Sequence, residues 1–166
     1  MARLLSILIL LVAVTGVYAQ NIAFVDVQKV MNQSKKGQEY KKEIQDKVAY
    51  YQKKLDEIDK KIAELEKQLS SPVLSEEAKD KKRKELAEIK ARGLEIQQEA
   101  EKELSQMKAK AERELIKEIR KVTEKYAKQH NIDLVFVGGA IGGVIYHDTA
   151  IDITDHILKM LDGETK

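Results

Sequence analysis

The sequence has no cysteine and no tryptophan, a single proline (Pro72), six tyrosines and two phenylalanines. Without cysteine there is no disulfide to staple a small domain and no thiol nucleophile. With aromatics at only 5% there is little material for a large globular core. Charge of one sign is also lacking: 30 Lys and Arg face 28 Asp and Glu, and these residues make up 35% of the chain. Rich in Ala, Glu, Lys and Leu, such a composition points to long helices or coiled coil.

No apolar run is long enough to cross a bilayer. The longest, Leu4 to Val14, is broken only by Ser6 and falls well short of the ~20 residues a spanning helix needs. Arg3 precedes it, and Val17-Tyr18-Ala19 follows with short residues where a signal peptidase reads. Residues 1–19 therefore read as a signal peptide cleaved near Ala19. No cysteine follows to accept a lipid. Removing the first 19 of the 166 residues leaves 147, with nearly balanced charge. An exported chain of this size without disulfides must draw its stability from long helices, self-association, or both.

Asn21 to Val27 is apolar at five of seven positions, the pattern of a strand covered on both faces. Ser34 then suits a helix N-cap, because its hydroxyl can accept a free first-turn N–H. Ile44, Val48, Tyr51, Leu55, Ile58, Ile62, Leu65 and Leu69 follow at alternating spacings of four and three. That is an unbroken heptad seam, which a strand cannot produce. Ser70 to Ser75, with Pro72, breaks the helix. Ser75 restarts it, and Glu76 and Glu77 sit where the helix dipole favours negative charge.

A second seam runs from Leu86 through Ile89, Gly93, Ile96, Ala100 and onward to Tyr126. Its period of about 3.6 is longer than that of the first, so this helix should be straighter. A short break between two such helices predicts an antiparallel hairpin, an arm spanning residues 34–130. After it, Ile132 to Val137 reads as a strand, Gly138 to Gly143 as a turn and Val144 to His147 as a second strand, together a β-hairpin. A short amphipathic helix closes the chain.

The fold class is thus α+β: a long coiled-coil hairpin arm on a small β-body formed by residues 20–33 and 131–166. That body is near the size below which a lone core is marginal. Its strands expose apolar faces and open edges, so Ile22, Phe24, Val25, Leu134, Val135, Phe136, Val144 and Ile145 are expected to bury themselves between copies. Copy number does not follow from the pattern.

Three features test for chemistry. Gly138–Gly143 lacks the Gly-Lys-Ser/Thr and the helix start that phosphate binding requires. His130, His147 and His156 lack metal-ligand spacing. Carboxylates on exposed helix faces cannot be desolvated for acid–base work. No catalytic residue, cofactor or metal is expected, and no nucleic-acid motif is present. What remains is a binding surface. Lys79, Lys81, Lys82, Arg83 and Lys84 cluster beside the hairpin tip and could attract acidic clients or anionic lipid. Leu74, Leu94, Met107 and Ile116 are candidate apolar contacts on the arm, although each could instead pack against the partner helix. Methionine suits adaptable surfaces.

The order of elements, with Ile22-Ala23-Phe24-Val25-Asp26 at one end and Asp133-Leu134-Val135 and Asp152-Ile153-Thr154-Asp155-His156-Ile157-Leu158-Lys159 at the other, resembles the Skp (OmpH) family of periplasmic chaperones. The resemblance covers essentially the whole chain after residue 19. It implies a periplasmic homotrimer whose three arms enclose a cavity. It also implies a holding function that needs no ATP, with unfolded outer-membrane β-barrel proteins as partners. Some members bind lipopolysaccharide, a role that no residue-by-residue match carries over here. Family members are often strongly basic, and this chain is close to neutral. The competing reading is an exported structural or adaptor coiled coil that binds one folded partner.

Overall fold

The computed structural model describes residues 20–139 and 143–164. The segment read as a signal peptide lies outside the described residues, as do residues 140–142 of the Gly-rich turn. The elements are β1 (Ile22–Val25), α1 (Val27–Gln33), α2 (Lys35–Leu69), α3 (Glu76–Gln129), β2 (Leu134–Val137), a 3-10 turn (Thr149–Ile151) and α4 (Thr154–Leu161).

Side-chain caps set most of these boundaries. Asp26 caps α1 by accepting from the Lys29 N–H at 2.9 Å. Ser34 both ends α1 and starts α2: its N–H donates to the Val30 carbonyl, and its hydroxyl accepts from the Gly37 N–H at 3.1 Å. Ser34 is fully buried, because α1 and α2 meet closely there. A Cβ on Gly37 would lie 1.8 Å from the Met31 carbonyl oxygen, so only glycine fits. Ser75 caps α3 through the Ala78 N–H. At the far end of α3, Asn131 adopts a left-handed φ of 53°, and the Ile132 N–H returns to the Ala127 carbonyl. Asparagine tolerates that conformation better than most residues.

The sheet departs from the sequence reading. β2 pairs in parallel with β1, with Ile22 opposite Leu134 and Phe24 opposite Phe136. Val144 to His147 forms no strand, so the expected β-hairpin is absent. The reason lies on the other side of β1. The His147 ring stacks on Phe24 at 3.7 Å, and Phe24 makes a parallel bridge to Asp152, with the Ile153 N–H donating to its carbonyl at 2.9 Å. The chain after β2 is therefore drawn across β1 to its far edge and cannot fold back along β2.

A small core forms where the sheet meets the root of the arm. Ala23, Val25, Val30, Ile119, Ile153 and Ile157 are buried together, so the inner face of β1, α1, α4 and the last turns of α3 make one hub. Thr154 is buried in it, its hydroxyl accepting from the Asp26 N–H at 2.9 Å. Polar ties pin its rim: Lys29 to Asp155 at 2.8 Å and Lys35 to Glu164 at 3.0 Å.

From this hub α2 and α3 run out as the expected antiparallel pair. With 35 and 54 residues they extend about 50 Å and about 80 Å. Tyr51, Ile58 and Leu65 of α2 and Ala100, Ala111, Leu115 and Ile119 of α3 are buried. Val48 is the exception in the seam at 46% exposed, where Lys47 and Tyr51 reach across to α3 on either side of it.

Candidate functional site

The two arm helices are joined by paired tyrosine–carboxylate clasps. Tyr40 donates its hydroxyl to Glu114, and Tyr51 donates to Glu103. Lys47 reaches the same Glu103 at 2.9 Å, and Lys36 pairs with Glu118. These contacts shift the groups in the expected directions. The hydrogen bond to Glu103, then burial, raises the Tyr51 phenol well above its ordinary value. Glu103 is lowered in turn, first by Tyr51 and then by Lys47. Glu114 is lowered chiefly by Tyr40.

The clasps were not anticipated, although the sequence carries their signal. Tyr40 and Tyr51 are eleven residues apart, and so are Glu103 and Glu114. Eleven residues is close to three helical turns, so equal spacings on antiparallel helices bring both pairs into register.

The hub carries the apolar surface. Leu134, Phe136 and Val137 of β2 are each about half exposed, and Ile22 is 38% exposed. Of the residues expected to be buried between copies, Phe24 and Val25 are already buried inside the single chain, Val135 and Val144 are half-buried, and Ile145 is fully exposed. Beside the free edge of β2, a groove of about 460 Å³ is lined by Val27, Ile116, Ile119, Val135 and Val137. Ile116 thus belongs to the hub surface and not to the free arm.

The basic tip is less charged than its sequence suggests. Lys79 pairs with Glu76 at 2.7 Å, Lys81 with Glu77 at 3.0 Å and Arg83 with Asp80 at 2.9 Å, and Lys82 donates to Gln68. Lys84 is exposed beside them. Val73 is 89% exposed at the turn, with Leu74 half-buried next to it. Leu94 is 62% exposed on the outer side of α3, whereas Met107 is half-buried in the seam. The four candidate apolar contacts do not form one patch: Leu94 and Ile116 alone are separated by about 33 Å of helix. Among the described residues, no group of three or more His, Asp and Glu side chains is placed to hold a metal.

A free-standing two-helix prong rooted in a small, apolar-edged hub defines an arm-and-hub protein whose working surfaces are extended faces. The chain belongs to the OmpH-like outer membrane protein family, whose sequence profile matches residues 21–161. It is 33% identical over 154 residues to an uncharacterised protein of Aquifex aeolicus (strain VF5), covering 92% of this chain and 93% of that one. Its fold matches the crystal structure of an OmpH-like protein from Caulobacter crescentus CB15, described as a candidate outer membrane chaperone. The TM-score is 0.77 at 15% identity, over 89% of this chain and 86% of that one.

Proposed function

We propose that this protein is an ATP-independent holding chaperone of the periplasm. It assembles as a homotrimer through residues 20–33 and 131–166 and shields unfolded outer-membrane β-barrel proteins between arms formed by residues 34–130. Family membership supports a chaperone-type role of this kind. The observation that carries the reading is a two-helix prong standing on a hub whose described sheet edge at β2 is unpaired. From Leu134 to His147 the sequence has no Asp, Glu, Lys or Arg, and Ile145 and Tyr146 are 102% and 82% exposed. An uncharged open edge invites pairing, and natural sheets otherwise guard such edges with charge. A second and third copy would cover it and set three arms side by side.

Several arms acting together need no strong single site. Weak contacts at Leu74 and Leu94 on the arms and at Ile116 beside the hub sum because each engagement raises the effective concentration for the next. Anionic lipid and lipopolysaccharide find less support, since most tip cations already have acidic partners on their own helix.

The test is direct. An outer-membrane barrel protein unfolded in urea is diluted into buffer with and without the protein lacking residues 1–19. Light scattering should fall steeply as the arm-and-hub protein approaches one trimer per client. Unchanged scattering at that ratio would remove the holding reading and leave the adaptor coiled coil.

A further inference from the structure

Large apolar side chains are sparse on the outside of the described arm: Val48, Tyr50 and Leu94 are exposed among charged neighbours, and Val73 is exposed at the turn. Its continuous apolar surface is the seam between its own helices, and that seam is unevenly secured. Toward the hub, the Tyr40–Glu114 and Tyr51–Glu103 clasps and the Lys36–Glu118 and Lys47–Glu103 pairs cross it, and Tyr51, Ala100, Ala111 and Leu115 are buried beneath them.

Beyond Ile58 the picture changes. The crossing ties there are Lys90 to Glu66 at 2.8 Å, with both side chains about half exposed, and Lys82 to Gln68. Leu65 is buried and Ile62, Leu69, Leu86 and Ile89 are partly covered, much as Ile44, Leu55, Leu104 and Met107 are nearer the hub, so the difference lies in the crossing ties. The boundary is marked by Gly93, the one glycine in α3, which faces Ile58: a Cβ there would lie 3.2 Å from the isoleucine Cγ2. Glycine weakens a helix interior by about 1 kcal/mol relative to alanine, so α3 is weakened on the outer side of its last dense tie at Glu103.

We propose that residues 59–92 open at the level of Ile58 and Gly93 while the inner arm stays zipped. The seam this uncovers, with Ile62, Leu65, Leu69, Leu86 and Ile89, is an interaction surface for apolar segments of unfolded polypeptide. The inference rests on the holding function proposed above and assigns its client surface. Low local stability is where binding elements are drawn from. A client that covers the opened seam shifts the equilibrium toward opening, because it binds that state and not the closed one.

The cysteine-free chain allows a clean test. Gln68→Cys and Lys82→Cys are joined by a short bismaleimide to close the outer arm, and Lys36→Cys and Glu118→Cys are joined likewise as an inner control. Both are assayed with the urea-unfolded barrel protein, and amide hydrogen exchange is measured on the unbridged chain. Amides of residues 62–69 and 82–92 should exchange faster than those of 40–58 and 96–119 by about tenfold or more. The outer bridge should sharply reduce suppression of aggregation, and the inner bridge should leave it unchanged. Full suppression with the outer bridge closed, or uniform exchange along the arm, would overturn the proposal. An unbridged chain that holds no client would defeat the holding function and the assigned client, while the exchange contrast would still decide whether the outer arm opens.

Discussion

Gly138 lies against the tip of the Phe24 ring: a Cβ on the glycine would fall 1.7 Å from the phenylalanine Cζ. Phe24 is 5% exposed, with the His147 ring stacked on it at 3.7 Å, and cannot move aside without disturbing β1. Gly138→Ala should therefore destabilise the hub by about 1–3 kcal/mol, the usual cost of overpacking a filled site. Chemical denaturation followed by circular dichroism measures it. An unchanged midpoint would mean that the Phe24 ring has room this packing does not show.

This contact also explains where the sequence was legible and where it was not. The arm could be read because heptad spacing is local: Ile44 to Leu69 declares its own buried face. The caps at Ser34 and Ser75 were equally local, and both hydroxyls accept the N–H expected of them. The sheet was not local. β1 finds its partner across the whole arm, with Ile22 opposite Leu134, and alternation in Val144 to His147 says nothing about that distant competitor. Phe24 draws His147 and Asp152 to the far edge of β1, and the expected hairpin loses its second strand. Among the candidate contacts, the tip lysines and arginine look like a free basic cluster in linear sequence, where their acids stand three and four residues away. The helix places them as partners.

The clasp at Tyr51 predicts acid sensitivity of a defined sign. Glu103 has a folded value below its ordinary 4.5, lowered first by the Tyr51 hydroxyl. Such a group contributes stability above the unfolded value and loses it as pH falls through the folded one. The arm should lose urea resistance as pH drops below 4.5. Tyr51→Phe should be less stable at neutral pH and should lose less over the same acid interval. Urea midpoints of helical ellipticity for the two proteins, at neutral and acidic pH, give the comparison. Equal acid losses would show that the hydroxyl is not what holds Glu103 down.

At the tip, replacing Lys81, Lys82, Arg83 and Lys84 with Gln removes the partners of Glu77 and Asp80 but leaves both acids near the N-terminal end of α3, where the dipole favours them. The hairpin should stay folded, with little change in melting temperature. If the tip acts on clients through charge, capture of the unfolded barrel protein should weaken more at low than at high ionic strength, because exposed charges are screened within about 8 Å at physiological salt. Equal loss at both salt concentrations would deny the tip an electrostatic role.

Phe136 separates assembly from folding. It is 45% exposed in the single chain, opposite buried Phe24 on the same face of the sheet. A charge there costs the isolated hub less than it would at buried Phe24, since part of the side chain already meets water. Between copies the same charge would be stripped of water with no partner, and an unpaired buried charge is strongly destabilising. Phe136→Asp should therefore lower the sedimentation coefficient to that of one copy while the far-ultraviolet helix signal persists. The arms, no longer held together, should also lose client holding, because effective concentration vanishes when the copies separate. A variant that sediments unchanged would place the contact between copies elsewhere than on this face of β2. A variant that sediments as one copy and still holds clients at equal mass would show that a single arm suffices.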